Sequence, residues 1–433
     1  MNRSKRARFG GVLGKWLLLI AFLGLLAGFF LWKEGYGKVG HTEPMPESTV
    51  GFIAFVRDSN GQTDLFLADA NGKDVRQRTD DGAAKRTPAW SPDGKHLCFS
   101  GEPLRPGPDG RTFQLYALGE GDPQPLTYGS VSKTSPQWSP DGKLIGFLSG
   151  GAIKVIQPNG NGLKQIYPAP HAGSGAEQGN EEEHGDEPEQ EGRRPPINVF
   201  RWSPVGVSVA AVQVFEGDYA FTTGRQQWWQ QESRPTGGHE DAQAVVEPEA
   251  LVLLPRYDSG KVERRPGAAA EKVSFGWYPD GNRVAVAMST RQGRHGIAAY
   301  RIDDEIAEPE ILFASEGHTV AAENPVVSPD GKKVAFELWR MSSPEDRRLL
   351  GIVVIATDGP GMRIPSVAEI GKITVAIKDG TKPQWSPDGS KLLFTRMGKN
   401  GRDIWVAGAD GSNQTNVTNG TGDNFDAVWS PAK

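Results

Sequence analysis

The sequence predicts an all-β fold, a seven-bladed β-propeller preceded by one amino-terminal transmembrane helix. Three observations predict it: a short motif that recurs along the chain, a composition rich in turn formers, and one long uncharged apolar run near the start. Of 433 residues, 37% are hydrophobic and 23% charged, enough apolar material for a packed core and too little net charge for an unfolded polypeptide. Glycine (55) and proline (32) form about a fifth of the residues without a collagen period, so turns are frequent and long helices few. The single cysteine, Cys98, excludes an intramolecular disulfide, and within Leu97-Cys98-Phe99 it reads as a small buried hydrophobe.

The amino terminus divides into a basic cytoplasmic segment (1–15), a transmembrane anchor (16–32) and a linker (33–49). Trp16 to Trp32 carries no charge, is about 26 Å long as a helix and has an indole at each end, where the headgroup zone favours it. Arg3, Lys5, Arg6, Arg8 and Lys15 precede the run while Lys33 and Lys38 follow it, which places the amino terminus in the cytoplasm and the body outside. A cleaved signal peptide is the rival reading, with Gly35-Tyr36-Gly37 as a weak small-x-small match. The apolar run is longer than such peptides carry, and the anchor reading is preferred. Residues 1–38 hold a local charge of +6, leaving −11 on the other 395, so the body repels phosphate backbones and no nucleic acid is expected as a partner.

The body, residues 50–433, is organised by repetition. WSPDGKHLCF starts at Trp90, WSPDGKLIGF at Trp138 and WSPDGSKLLF at Trp385; variants start at Trp202 (WSPVGVSVAA), Trp277 (WYPDGNRVAV), Val327 (VSPDGKKVAF) and Trp429 (WSP). The spacings of 48, 64, 75, 50, 58 and 44 residues equal or exceed one four-stranded blade. Proline presets φ, aspartate bonds the backbone two residues on, and glycine accepts a positive φ, so Pro-Asp-Gly reverses direction between two strands. Leu65-Phe66-Leu67 and Ile404-Trp405-Val406 read as third strands, and Asn71-Gly72 and Asp410-Gly411 as turns into polar fourth strands. Half of the twelve tryptophans occupy one motif position, which predicts a repeated contact between neighbouring blades.

These motifs resemble the TolB-like propeller repeats, found in periplasmic TolB and in the propeller halves of prolyl-oligopeptidase-type peptidases, over about residues 50 to 431. The sequence shows neither the α/β domain of TolB nor the hydrolase domain of the peptidases, so the resemblance implies the fold and neither activity. Gly51-Phe52-Ile53-Ala54-Phe55 matches a second strand and Trp429-Ser430-Pro431 a first strand. One blade is therefore split, with its innermost strand from the carboxyl terminus and the other three from the start of the body.

Two insertions interrupt the repeats. Residues 170–196 hold eight acidic side chains and two arginines and read as a solvated, disordered acidic loop. Residues 216–249 hold Tyr219, Phe221, Trp228 and Trp229 and fall between the second and third strands of the third blade. Strand alternation puts both insertions on one face, opposite the Pro-Asp-Gly turns, together with the residues that precede each first strand. Binding residues are therefore sought there: Trp228 and Trp229 as exposed anchors, and Arg86, Asn198, Glu323, Asn324, Lys382 and Asp426 on the channel rim. An insertion that folds back to bury its own aromatics is the competing reading.

Enzyme signatures are missing from the sequence. It has no GxSxG elbow, no HExxH pair and no phosphate loop, and the seven histidines occupy no equivalent repeat positions. Asp58-Ser59-Asn60-Gly61 fits a turn between strands rather than a calcium loop. No catalytic residue, metal or cofactor is assigned. The expected function is that of a membrane-anchored extracytoplasmic propeller, non-catalytic, binding an unidentified protein or peptide on the insertion-bearing face as an interaction or cell-envelope scaffold module. A carbohydrate- or peptide-processing enzyme using the channel is the alternative.

Overall fold

The computed structural model describes residues 51–103, 112–167, 197–206, 208–214, 249–254, 263–270, 272–289, 295–303, 308–315, 320–342, 346–359, 361–364, 370–371 and 373–431. The expected anchor at 16–32, the acidic insertion and the aromatic insertion up to residue 248 lie outside them. No helix among the described residues is long and apolar enough to cross a membrane.

The strands form seven sheets, one per motif copy, with antiparallel neighbours in each blade. Each is named here by its innermost strand: blade 1 from Lys85–Trp90, blade 2 from Thr134–Trp138, blade 3 from Ile197–Trp202, blade 4 from Lys272–Trp277, blade 5 from Val320–Val327, blade 6 from Gly380–Trp385 and blade 7 from Asp423–Trp429. Blade 7 is split as expected, with Asp423–Trp429 pairing Phe52–Ser59, followed by Gln62–Asp69 and Val75–Gln77. Asp58-Ser59-Asn60-Gly61 is the turn between its second and third strands.

Period-two alternation divides each strand between two seams. In Phe52–Ser59, Ala54 and Val56 pack with Trp90, Leu97, Phe99 and Tyr116 of blade 1. Ile53 and Phe55 pack with Leu393, Ile404, Val406 and Val417 of blade 6. Both sides of the sheet are thus apolar, which is why Ile53 to Val56 reads as an unbroken hydrophobic run. The core lies in the seams, one cluster between neighbours, and each blade is buried by the next.

The motif builds two devices. In the turn, Ser386 Oγ donates to Asp388 Oδ1 (2.6 Å) and accepts from Lys391 N (2.9 Å), and Gly389 N donates to Ser386 O (2.8 Å). The seryl bond to aspartate recurs at Ser91/Asp93, Ser139/Asp141 and Ser328/Asp330. The seryl hydroxyl holds each of these carboxyls below the ordinary aspartate range. Where the motif departs, the bond is lost: Ser203, followed by Val205, and Ser430, followed by Pro431-Ala432, have buried hydroxyls without a partner among the described residues.

In the second device, three of the six motif indoles donate to the blade before them. Trp202 Nε1 reaches Gln137 O (3.3 Å), Trp277 Nε1 reaches Arg201 O (3.3 Å) and Trp385 Nε1 reaches Val326 O (3.0 Å). Each acceptor directly precedes the motif residue of its own blade. Gln137 and Gln384 return the bond forward, through Nε2 to Phe200 O and Ala427 O, both at 2.6 Å. The contact expected between neighbouring blades is therefore present.

Blade 4 departs from four strands. Met362–Ile364, from the connection between the last two strands of blade 5, joins its outer strand Glu310–Ser315 in parallel. Gly361 makes the approach possible: its φ is +69°, and a Cβ there would stand 2.2 Å from Ile311 O.

Candidate functional site: the mouth of the channel

Five innermost strands carry a bulge three residues before the motif position. Thr87, Ser135, Asn324, Lys382 and Asp426 have φ between +50° and +53°, a region that non-glycine residues enter at a cost of about 1 kcal/mol or more. The ladder slips at the same places, between Arg86 and Ala89, Thr134 and Gln137, Glu323 and Val326, Thr381 and Gln384, and Phe425 and Val428. Sequence marks where the ladder slips. Pro88, Pro136, Pro325 and Pro383 follow the first four and supply no ladder N–H, so pairing is interrupted there, although a proline by itself favours extended backbone in the residue before it. Aspartate, at 426, tolerates the left-handed region. Val199 and Ser274 precede phenylalanines instead, and neither has a positive φ.

Bulging turns the amide of the strained residue toward the preceding blade. Asn324 N donates to Ser274 Oγ of blade 4 (2.9 Å), Lys382 N to Glu337 Oε1 of blade 5 (2.7 Å) and Thr87 N to Asp426 Oδ2 of blade 7 (3.0 Å). Asn324 Nδ2 also donates to Glu337 Oε1 (3.0 Å), and the Lys382 ammonium stands 4.0 Å from Asp426 Oδ1. A polar network therefore runs around the mouth from blade 4 through blades 5, 6 and 7 to blade 1. Glu337 is its keystone, accepting also from Trp339 Nε1 (3.2 Å) while almost fully buried.

Charged groups pin the loops beneath this network. The fully buried Lys85 donates to Asp81 Oδ1, to Ala83 O (2.7 Å) and to Asp64 Oδ1 (3.3 Å). Burial raises the Asp64 carboxyl, against the pull of the Lys85 ammonium. Lys133, at the same repeat position of blade 2, donates to Tyr128 O (3.0 Å) and Val131 O (2.7 Å). Asn424, its counterpart in blade 7, donates to Arg402 O (3.1 Å) and Thr421 O (2.8 Å) and accepts from Arg57 Nε (2.8 Å). Arg402 grips Asp423 through two bonds of 2.8 and 2.5 Å and holds its carboxyl low.

The rim residues singled out in the sequence divide into two groups. Arg86, Asn198, Asn324 and Lys382 are exposed, with the Lys382 side chain at 61% and the Arg86 guanidinium 5.8 Å from the centre of the Phe113 ring. Glu323 is not on the surface: it is buried and paired with Arg347 Nη2 at 2.6 Å. Asp426 is partly covered and already accepts Thr87 N–H. Lys382, Asp426 and Asn324 belong to one network of contacts, whereas Asn198 stands apart in blade 3. Trp228 and Trp229 lie outside the described residues. Glu337 and Arg347 escaped the sequence reading, although Glu337 leaves a signal as a lone carboxylate inside the apolar strand Val334-Ala335-Phe336-Glu337-Leu338.

The bounds of the aromatic insertion are fixed by register. Ile197 pairs Gln213 and Val214 pairs Glu249, so residues 215–248 leave and re-enter blade 3 at the edge where its innermost strand begins. The mouth thus offers cationic and amide donors, Lys382, Arg86 and Asn198, while the carboxylates of Glu323, Glu337 and Asp426 are taken up by protein donors. Among the described residues, no group of three or more His, Cys, Asp or Glu side chains forms a metal-holding cluster.

No protein-family model matches the sequence, and no curated protein matches it significantly. Solved structures similar to it include TolB from Acinetobacter baumannii, at 13% identity and a TM-score of 0.42, covering 88% of this chain and 83% of that one. The β-propeller domain of the Trilobed protease from Pyrococcus furiosus shares 10% identity with a TM-score of 0.48, covering 88% and 98%. Acylaminoacyl peptidase from Pyrococcus horikoshii shares 13% with a TM-score of 0.46, and the match covers 77% of this chain and 45% of the peptidase, under half its length. These likenesses are of fold, which the strand order establishes by itself.

Proposed function

We propose that the protein is a membrane-anchored interaction module, a non-catalytic extracytoplasmic propeller that binds a protein or peptide partner on the face bearing the channel mouth and the insertions. The observation that carries this reading is convergence on one edge. The bounds of the aromatic insertion, the strained bulges and the donors Lys382 and Arg86 all belong to the ends where innermost strands begin. A rigid scaffold that gathers its irregular additions on one side has the arrangement of a binding surface. The uncharged run from Trp16 to Trp32 supports anchoring, with the amino terminus cytoplasmic.

The test is capture of the native partner from detergent-solubilised membranes with Trp228→Ala combined with Trp229→Ala. Weakened capture at an unchanged melting temperature is expected, because a desolvated interface tryptophan contributes on the order of 2 kcal/mol. Unchanged capture moves the site to the exposed rim donors Arg86, Asn198 and Lys382. A large fall in melting temperature makes the two indoles core residues. Turnover of a peptide or carbohydrate substrate by the purified protein would overturn the non-catalytic reading. Carbonate extraction of the protein from membranes, or a mature amino terminus near Lys38, would overturn the anchor.

A further inference from the structure

Six Asn-Gly pairs lie among the described residues, at 60–61, 71–72, 159–160, 161–162, 400–401 and 419–420. Such a pair can undergo an intramolecular acyl transfer in which the glycine amide nitrogen attacks the asparagine Cγ. The N–Cγ bond forms, the bond from Cγ to the amide Nδ2 breaks, and ammonia leaves with a proton taken from the attacking amide. Water then opens the five-membered imide at either carbonyl to give aspartate or isoaspartate. The net reaction adds one water, releases one ammonia and requires no oxidant or cofactor. Glycine offers no Cβ to hinder the approach, so the fate of each pair rests on whether its amide is free to attack.

The fold engages this nucleophile almost everywhere. Gly61 N donates to Asp58 Oδ1 (2.7 Å), Gly72 N to Asp69 O (3.0 Å), Gly160 N to Gln157 O (2.9 Å) and Gly420 N to Asp403 Oδ1 (3.0 Å). Gly401 is a ladder residue opposite Gly398, and the Asn400 amide is tied to Gly420 O at 2.8 Å. Gly162 differs. Its amide has no hydrogen-bond acceptor among the described residues, and Asn161 and Gly162 are both exposed in the loop between the last two strands of blade 2. The neighbouring pair is an internal contrast: Asn159 accepts Asn161 N–H on Oδ1 (2.9 Å) and its glycine amide is held, in the same loop and the same solvent.

We propose that Asn161 is a site of spontaneous deamidation to aspartate and isoaspartate, which places a carboxylate in the outer loop of blade 2, while Asn60, Asn71, Asn159 and Asn419 are protected by capture of the following glycine amide and Asn400 by the bond that its own side-chain amide donates. The test incubates the full-length protein at neutral and mildly alkaline pH and follows each pair by peptide mapping, with isoaspartyl methylation as the second readout. Asn161 is expected to convert faster than any of the other five by about tenfold, the factor set by one hydrogen bond that need not be broken first. Conversion of Asn161 no faster than Asn159 or Asn71 overturns the proposal. Asp58→Ala separates amide capture from simple exposure, since it frees Gly61 N in an exposed hairpin: Asn60 should then convert about as fast as Asn161, relative to the parent protein, with the melting temperature recorded alongside. An unchanged Asn60 rate in a folded variant means that amide capture is not what protects these pairs, and the proposal fails.

Discussion

Identical residues at one repeat position carry different duties, and their hydrogen bonds tell them apart. Trp385 and Trp429 are about equally buried, yet Trp385 donates to Val326 O at 3.0 Å while the Trp429 indole N–H has no partner among the described residues. Trp385→Phe removes a bond and strands a carbonyl, whereas Trp429→Phe removes a donor already unsatisfied. Trp385→Phe should therefore be the more destabilising in urea melts, by about 1 kcal/mol. The turn aspartates allow a second prediction. Their carboxyls lie below the ordinary range in the folded protein, first because of the seryl hydroxyl bond. Their stabilising contribution is thus present above the ordinary aspartate pKa of roughly 4 and lost as pH falls through the lowered value. Ser386→Ala should raise the Asp388 titration midpoint toward the ordinary value, read from its carboxyl carbon by NMR, with Asp141 unmoved as the control. The motif made both residues visible in the sequence. Which indoles find an acceptor was not visible, because that depends on the pitch between two blades.

At the scale of the element, the bulged innermost strand unites backbone strain with blade-to-blade contact. Thr87 is the least suited of the five strained residues, since a β-branched side chain at φ +50° is crowded. Asn324 and Asp426 show what the position favours. Thr87→Asn should keep the amide bond to Asp426 Oδ2 and raise stability by about 0.5 kcal/mol, measured by denaturant unfolding with an unchanged slope; a loss would mean that the weak Thr87 Oγ1 to Ser100 Oγ contact of 3.3 Å outweighs the strain. Lys85→Met gives the opposite sign. It leaves Asp81 and Asp64 without their cation at a buried site, and a loss of roughly 3 kcal/mol is expected in the same measurement. The strands and Pro-Asp-Gly hairpins were legible because period two and turn chemistry are local. The fifth strand of blade 4 was not, since three residues from blade 5 pair across a seam and nothing local marks them.

For the whole molecule the decisive question is how a series of repeats becomes a ring. The innermost strand of blade 7 closes it with bonds in three directions. Asp423–Trp429 pairs Phe52–Ser59 along its length, Asp423 is gripped by Arg402 of blade 6, and Asp426 accepts the Thr87 amide of blade 1. Asn424 ties the same strand to Arg57 and to the carbonyls of Arg402 and Thr421. Phe425 and Trp429 face opposite seams, one with Trp90 and Phe99, the other with Leu393 and Ile404. Removing residues 424–433 therefore exposes the ladder of Phe52–Ser59, strips apolar cover from two neighbouring seams and leaves an open edge. The shortened protein should melt far below the parent and show its fastest amide exchange in Phe52–Ser59, while deleting 172–194, which removes none of these bonds, should leave both unchanged. The milder variant Asp423→Asn tests the closure without removing the strand. It weakens the Arg402 grip, at a partly exposed site where screening keeps the expected loss within about 1 kcal/mol, and exchange should rise in Phe52–Ser59 before it rises in the strands of blade 3. If the tail deletion melts with the parent protein, the carboxyl-terminal strand does not close the ring and the ends of the body are free of one another.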